Sequence, residues 1–487
     1  MFAVGIRYLM GRAVATFPSD RVRPEWPPHP FRLLMAMSAA HFETGEVDAE
    51  ARALEWIGNL SEHPGLHVSP HGDRETVSVF VPVNDVGMPT IRRGGVASLE
   101  QAKAAVALLP ESRLRQRRYF PSVIPDDPVV FFIWPVQPSP EVCGALETLC
   151  RKVTYLGHSS SLVQAWVEPN PPEPNLVPVG DRVARYRLRV SGTGRLVDLK
   201  ARFEAGLRPT SSLWIGYERP QPAETATAVP QTCFDSNIVV LRCIEGRPLG
   251  LESTLLLTQA LRDTVMSLCP VQPPPEWISG HKADGQRSEQ DHLAFFPLPH
   301  VGREHADGHL LALALAVPRS VTAEEQAAGW KGVLFDDLGA PRPIELRLGN
   351  LGVWRLELDD REHREVALRP ETWTLTPARR WATVTPIAFD RHPKGPDKWK
   401  DIERAVSRAC VRIGLPEPTD IILAPTSMFI GAPTARGFPL LKRKTDGGHI
   451  HHSHVIITFP EPVIGPVLIG AGRYRGYGLC RPLEETA

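Results

Sequence analysis

One local order occurs twice in the second half of this sequence, and it narrows the fold more than any single motif does. "NIVVLRCIEG" (237–246) reads as a strand, and the segment after it sets Leu257, Leu261, Val265 and Leu268 on one helical face. "ATVTPIAFDR" (382–391) is again a strand, followed by "DKWKDIERAVSRACVRIGL", where Ile402, Val406, Ala409 and Ile413 do the same. Each helix leads into further strands, "HLAFFPL" and "HLLALALAV" after the first, "TDIILAP" and "SHVIITF" after the second. Strand, helix, strand, strand is the order of ferredoxin-like, RRM-type units, whose helices cover one sheet face and leave the other for a ligand. The expectation is two such units in tandem, about 233–318 and 381–487, with 319–380 inserted between them.

The first half opens in a related way. A strand at 2–9 and a return strand at 11–17 precede "PPHPFRLLMAMSAAHFE", a helix with Pro30 near its first turn, where a missing amide costs least. Leu33, Leu34, Met37 and Phe42 are placed to bury its apolar side. The fold class expected is therefore α+β, with one ferredoxin-like unit in the N-terminal half and two in the C-terminal half. Proline is concentrated in "VEPNPPEPNLVPVG" (167–180) and "ERPQPAETATAVPQT" (218–232), and the second stretch lacks apolar periodicity. A domain boundary near residue 232 follows, giving domains 1–232 and 233–487.

Lys plus Arg number 55 and Asp plus Glu number 55, so no global charge draws the chain to nucleic acid or membrane. Binding must come from local patches: "IRRGG" (91–95), "RLRQRRYF" (113–120), "LLKRKTDGGH" (440–449) and "GAGRYRGYGLC" (470–480). Several basic patches with interleaved aromatics and glycines point to RNA. The seven cysteines are odd in number, scattered and without a Cys-x-x-Cys pair, which argues against a disulfide framework or a zinc ribbon. No apolar run reaches the roughly 18 residues of a membrane span, and the start alternates like a strand with arginines inside it, unlike a secretory signal. A cytoplasmic protein without a membrane partner is expected.

The 470–480 loop looks like a phosphate-binding glycine loop, but a mononucleotide loop needs a helix opening after it. Arg481, Pro482 and five further residues are too few for one. A flexible basic, aromatic loop lying against a polynucleotide is the reading that remains.

Five stretches in one order carry a family resemblance: "EWPPHPFRLLMA", "LPESRLRQRRYFPSVIPDDP", "YLGHSSSLV", "SGHKADGQRSEQDHLAFFPLPHVG" and "FPEPVIGPVLIGAGRYRGYGL". Together they resemble, from about residue 1 to 482, the type I-G (formerly I-U) CRISPR-associated fusion of two subunits of the repeat-associated RNA-binding superfamily. In that fusion the backbone-capping Cascade subunit, which grips the crRNA 5′ handle, is joined to the endoribonuclease that cuts the repeat. The resemblance implies binding of the repeat hairpin and handle of CRISPR RNA, assembly with the other Cascade subunits, and contact with target DNA through the assembled complex. It also implies cleavage without a metal or other cofactor, by attack of the ribose 2′-hydroxyl on the adjacent phosphorus. The alternative is a non-catalytic RNA-binding scaffold with the same fold.

Such cleavage sets three tasks: removing the 2′ proton, protonating the leaving oxygen, and stabilising charge on the phosphorane. Histidine suits the first two because its pKa lies near neutrality. His281, in the glycine-flanked "WISGHKADGQR", is the first candidate; the wider family places a catalytic histidine on or after this helix. Lys282 and Arg287 are the neighbouring phosphate contacts. His292, at the start of the next strand, and His454, which matches the histidine of the family's final strand motif, are the further catalytic candidates. The cluster "HIHHSH" sets His449 and His451 on one face and His452 and His454 on the other, yet includes no cysteine or carboxylate, so no metal ligand set is assigned. For RNA binding, Arg115, Arg117 and Arg118 offer guanidinium forks and Tyr119 a stacking ring. Arg473 and Tyr474 suit the same work, with Gly470, Gly472, Gly476 and Gly478 expected to let the backbone approach phosphates.

Overall fold

The computed structural model describes residues 1–72, 74–82, 99, 115–180, 184–220, 229–361, 364–389, 398–442 and 447–483. The patch 91–95, and parts of the 113–120, 218–232 and 440–449 stretches, lie outside the described residues. The chain forms two compact units, Met1–Val179 with Leu188–Pro220, and Gly180–Arg187 with Gln221–Ala487. The division thus falls after Pro220, twelve residues or so before the boundary that proline content suggests.

In the first unit, β1 (Phe2–Tyr8), β2 (Gly65–His67), β3 (Val129–Trp134) and β4 (Val163–Glu168) form an antiparallel sheet of order β4-β1-β3-β2. The central strand is buried at Phe2, Val4, Ile6 and Tyr8, and Val4 lies opposite Phe132. Helices α1 (Pro30–Glu43) and α2 (Asp48–Gly58) connect β1 to β2, and α3 (Pro140–Lys152) connects β3 to β4. As its apolar spacing predicts, α1 buries Leu33 and Met37, while Leu34 and Phe42 are half-buried. Just before α1, the Glu25 carboxylate is 1 % exposed and paired with Arg32, with Arg189 at 2.7 Å and with His29. Burial alone would raise its pKa, but His29, Arg32 and Arg189 outweigh it and hold the carboxyl at about 2.

The second unit contains two antiparallel sheets. The first is built from β5 (Val239–Glu245), β6 (Ala294–Pro299), β7 (Leu310–Ala316), β8 (Ile344–Arg347) and β9 (Val353–Leu358), in the order β6-β7-β5-β9-β8. Its helix α4 (Thr254–Leu268) buries Leu257, Leu261 and Val265, and α5 (Ala323–Trp330) follows β7. The stretch 319–380, expected as an insertion, instead supplies two strands of this sheet, with Leu358 opposite Leu241. They are short strands with Ile344, Leu346, Trp354, Leu356 and Leu358 turned inward, too brief a period to stand out by composition. The second sheet pairs β10 (Ala378–Thr383), β11 (Asp420–Ala424), β12 (His452–Val463) and β13 (Cys480–Pro482) in the order β11-β12-β10-β13. Helix α6 (Lys398–Arg412) lies between β10 and β11 in sequence, and it buries Val406, Ala409 and Cys410 in a core shared with Ile457 and Phe459. No helix joins β12 to β13; the glycine-rich loop does, with a single 3-10 turn at Arg473–Arg475.

The protein is thus α+β, with helices packed on antiparallel sheets in both units. Among the described residues no helix is long and apolar enough to cross a membrane. Leu261 is 0 % exposed at the centre of the α4 stripe, so Leu261→Ala should lower the unfolding free energy of the second unit by about 2–5 kcal/mol in urea titrations.

Candidate functional site

After α4 and the proline-containing stretch 269–275, the chain makes a single helical turn at Glu276–Ser279 and then a hairpin. Gly280 ends the turn in the left-handed conformation, φ +70°, and a Cβ there would sit 2.8 Å from the His292 ring. The hairpin is closed by Ser288 N donating to Gly280 O, Lys282 N donating to Gln286 O, and an antiparallel bridge between His281 and Arg287. Residues directly opposite in such a bridge start from the same side of the hairpin. Lys282, Arg287 and His281 are all exposed.

The tautomer of His281 follows from its partner. Nδ1 lies 3.0 Å from the Ser279 carbonyl, which can only accept, so Nδ1 carries the proton and Nε2 is the basic nitrogen. Arg262, from α4, donates to the same carbonyl at 2.8 Å. Both acceptor positions of Ser279 O are thereby used, and the hairpin is tied to the helix.

On the other side of the hairpin, Asp291 and His292 fasten the glycine-rich loop. Tyr474 donates its hydroxyl to Asp291 Oδ1 at 2.8 Å, and its ring stacks on His292 with centroids 3.6 Å apart. The Arg473 guanidinium lies 4.3 Å from the same ring and donates to the Tyr474 hydroxyl at 2.9 Å. Burial, joined by the charges of Arg473, Arg262 and Arg287, pushes His292 down to about 4, so it is neutral near pH 7.

The loop itself is not an open phosphate cradle. Gly470, Gly472, Gly476 and Gly478 are all buried. A Cβ on Gly478, at φ +71°, would stand 2.0 Å from the Ile469 carbonyl, and one on Gly476 would meet Thr254 and Pro297. Its amides are used internally: Arg473 N donates to Gly470 O, Arg475 N to Gly472 O and Gly478 N to Pro386 O. Thr258 and Thr385 hydroxyls take the carbonyls of Arg475 and Gly476. The glycines therefore serve close packing against the protein. Arg473 is 7 % exposed and Tyr474 half-buried, and the exposed cation of the loop is Arg475, bonded to Gln259.

A cleft of about 1040 Å³ opens beside these groups. Arg287, His292, Arg473 and Tyr474 line one wall, and Arg408 and Arg412 of α6 line another. Arg408 and Arg412, four residues apart, share an exposed helical face opposite the buried stripe. Sequence reading passed over this pair, although its spacing against Val406, Ala409 and Ile413 carried the signal. Arg262 and Asp291 were also missed, since a donor to a backbone carbonyl and an acceptor for a distant tyrosine leave no local pattern.

His454 sits elsewhere. It is 1 % exposed on β12, with Nε2 donating to the Pro433 carbonyl at 3.1 Å and Nδ1 3.1 Å from the Thr383 hydroxyl. Both ring nitrogens are engaged inside the protein, so the catalytic role expected of it is not open to it as placed. Burial pushes it down to about 4. The structure brings His281, Lys282, Arg287, His292, Arg473 and Tyr474 together in one region and leaves His454 out of it.

In the first unit, Arg115–Tyr119 is a strand paired with Ser78–Pro82. Arg115, Arg117 and Arg118 are exposed, and the Arg117 guanidinium lies 5.0 Å from the Tyr119 ring centre. By alternation Arg115, Arg117 and Tyr119 share one face of this ribbon and Arg118 points the other way.

A family model described as CRISPR-associated protein, GSU0054 family, matches residues 2–482. No curated protein matches. Among solved structures, a chain titled "CRISPR associated protein Cas6" is similar at 12 % identity over 51 % of this chain and 98 % of that one, with a TM-score of 0.27, too loose a likeness to argue from.

His454 is held below the ordinary histidine value, so the unfolded chain binds the extra proton first. Its contribution is full above about pH 6.5 and is lost as pH falls toward about 4. In urea titrations at a series of pH values, stability should fall over that window, and His454→Gln should make the fall shallower.

Proposed function

The chain belongs to the GSU0054 family of CRISPR-associated proteins, and from that premise we propose that it cleaves precursor CRISPR RNA within the repeat and keeps hold of the product. The observation that carries this reading is the hairpin in which the exposed His281, its Nδ1 committed to the Ser279 carbonyl, is bridged to Arg287, one of the four arginines, with Arg408, Arg412 and Arg473, that line the cleft. An imidazole with one nitrogen fixed by a carbonyl and the other free is the arrangement a general base needs, and guanidinium groups are the natural partners of phosphates.

In the proposed reaction Nε2 of His281 takes the proton of a ribose 2′-hydroxyl. The oxygen attacks the adjacent phosphorus, the bond to the 5′ oxygen breaks as that oxygen takes a proton from solvent water, and the products are a 2′,3′-cyclic phosphate and a 5′-hydroxyl. Arg287, beside His281 in the hairpin, stabilises the charge that develops on the phosphoryl oxygens, and Lys282 at the tip supplies a cation to the leaving side. His292, neutral and stacked on Tyr474, holds the glycine-rich loop in place and is not the proton donor. Arg473 acts through Tyr474 and Asp291 in the same way.

The finer reading is the type I-G fusion, in which the first unit grips the crRNA 5′ handle through Arg115, Arg117, Arg118 and Tyr119, assembled with the other Cascade subunits in the cytoplasm. Strand order supports three ferredoxin-like units: β4-β1-β3-β2 has the fourth-first-third-second order of that fold, and β6-β7-β5-β9 and β11-β12-β10-β13 run through the same order from the other edge.

Purified full-length protein with repeat RNA in EDTA tests the proposal. Cleavage is expected, and His281→Ala should slow it by about 10²–10⁴-fold while RNA affinity persists. Intact RNA with the wild-type protein would leave only the scaffold role. The double variant R408A/R412A should weaken RNA binding and reduce the slope of log affinity against log salt by about 1.4, the share of two phosphate contacts on a single strand.

A further inference from the structure

The hairpin joining β6 to β7, "HVGREHADGH", carries His300, Asp307 and His309, and the proposed cleavage chemistry uses none of them. They lie at the far end of β6 from His292. One donor atom from each falls within 4.8 Å of the others. Nδ1 of His300 is 3.7 Å and Nδ1 of His309 2.5 Å from the same carboxylate oxygen, Asp307 Oδ1, and the two rings are 5.4 Å apart.

We infer that this hairpin binds one divalent cation of the zinc class through His300, Asp307 and His309. Two imidazoles and a carboxylate are a recurring donor set for such ions, and a fourth position is left for water. Ligand distances of about 2.0–2.1 Å place the donors of a tetrahedral ion about 3.3 Å apart. The two separations found bracket that figure, so rotation of the exposed Asp307 side chain can even out its distances to the two imidazoles.

The arms of the site are fixed before any ion arrives. His300 N donates to His309 O and Gly308 N to His300 O, which closes the base of the hairpin. Leu251 N donates to Gly308 O and Leu310 N to Leu249 O, tying that base to the segment before α4. On the other side Gly302 N donates to Ile430 O, and Gly308 is so close to Gly431 that a Cβ would stand 2.1 Å from its carbonyl. A loop anchored to two neighbours loses little freedom when it takes up an ion, which is where the affinity of a three-ligand site is otherwise spent. The bound ion would cross-link the turn to both strands it connects, at a distance from His281, so its role is to brace the sheet.

The test uses the full chain stripped with EDTA and titrated with ZnCl2 by calorimetry. One equivalent should bind, and zinc should raise the melting temperature of the stripped protein, as a ligand that favours the folded state does. H300A/H309A should lose that binding by at least about tenfold and lose the melting shift, while melting like the wild type without zinc; these side chains are 29 % and 37 % exposed and hold no core. H449A/H451A, which alters the separate histidine cluster before β12, should bind as the wild type does. No binding by the stripped wild type, binding retained in H300A/H309A, or binding lost in H449A/H451A would each overturn the assignment. RNA cleavage by the zinc-free protein is read separately and bears only on the proposed reaction.

Discussion

The carboxylate of Asp291 is the fastening on which the second unit's working surface depends. It accepts the Tyr474 hydroxyl, while the next residue, His292, gives Tyr474 a ring to lie on. Through that pair, a loop from the last part of the chain is joined to the segment that leaves α4. Remove the carboxylate and the Tyr474 hydroxyl loses its acceptor, keeping only the hydrogen bond it receives from Arg473. Arg262, through the Ser279 carbonyl, ties the His281 hairpin to α4 independently of that fastening.

Charge is distributed to the same end. The sequence is neutral in sum, yet Arg287, Arg408, Arg412 and Arg473 meet around one cleft, with Glu289 and Glu417 the acidic side chains of its lining. A low-dielectric wall concentrates the field of such a group far more than the same residues scattered over a surface would. Balanced composition therefore says little about what one face of the molecule attracts.

Much of the architecture was legible because it is periodic. The stripes of α4 and α6, the strands before each, and Pro30 at the head of α1 are local signals, and the structure forms them. The His281 hairpin could also be read, since glycine on both sides of a short polar stretch marks an exposed turn. What escaped was long-range. Strands β8 and β9 have too few residues to declare a period; β9 takes its place in the sheet by pairing with β5, more than a hundred residues earlier, and β8 by pairing with β9. The glycine-rich loop misled for a related reason. A glycine marks a place where something comes close, and here the close neighbours are the Ile469 carbonyl, Thr254 and Pro297. His454 belongs to the same class: nothing near it in sequence reveals Thr383 or Pro433 as the partners of its two nitrogens.

The spacing of Arg408 and Arg412 has a consequence for what α6 could distinguish. Four residues of helix advance about 6 Å, comparable to the step between neighbouring phosphodiesters on one strand, so the two side chains can rest on consecutive links of a sugar-phosphate ribbon. A handrail of that sort is blind to nucleobase identity. For the proposed substrate, α6 would then contribute grip and register, and preference for one repeat over another would be expressed on other surfaces.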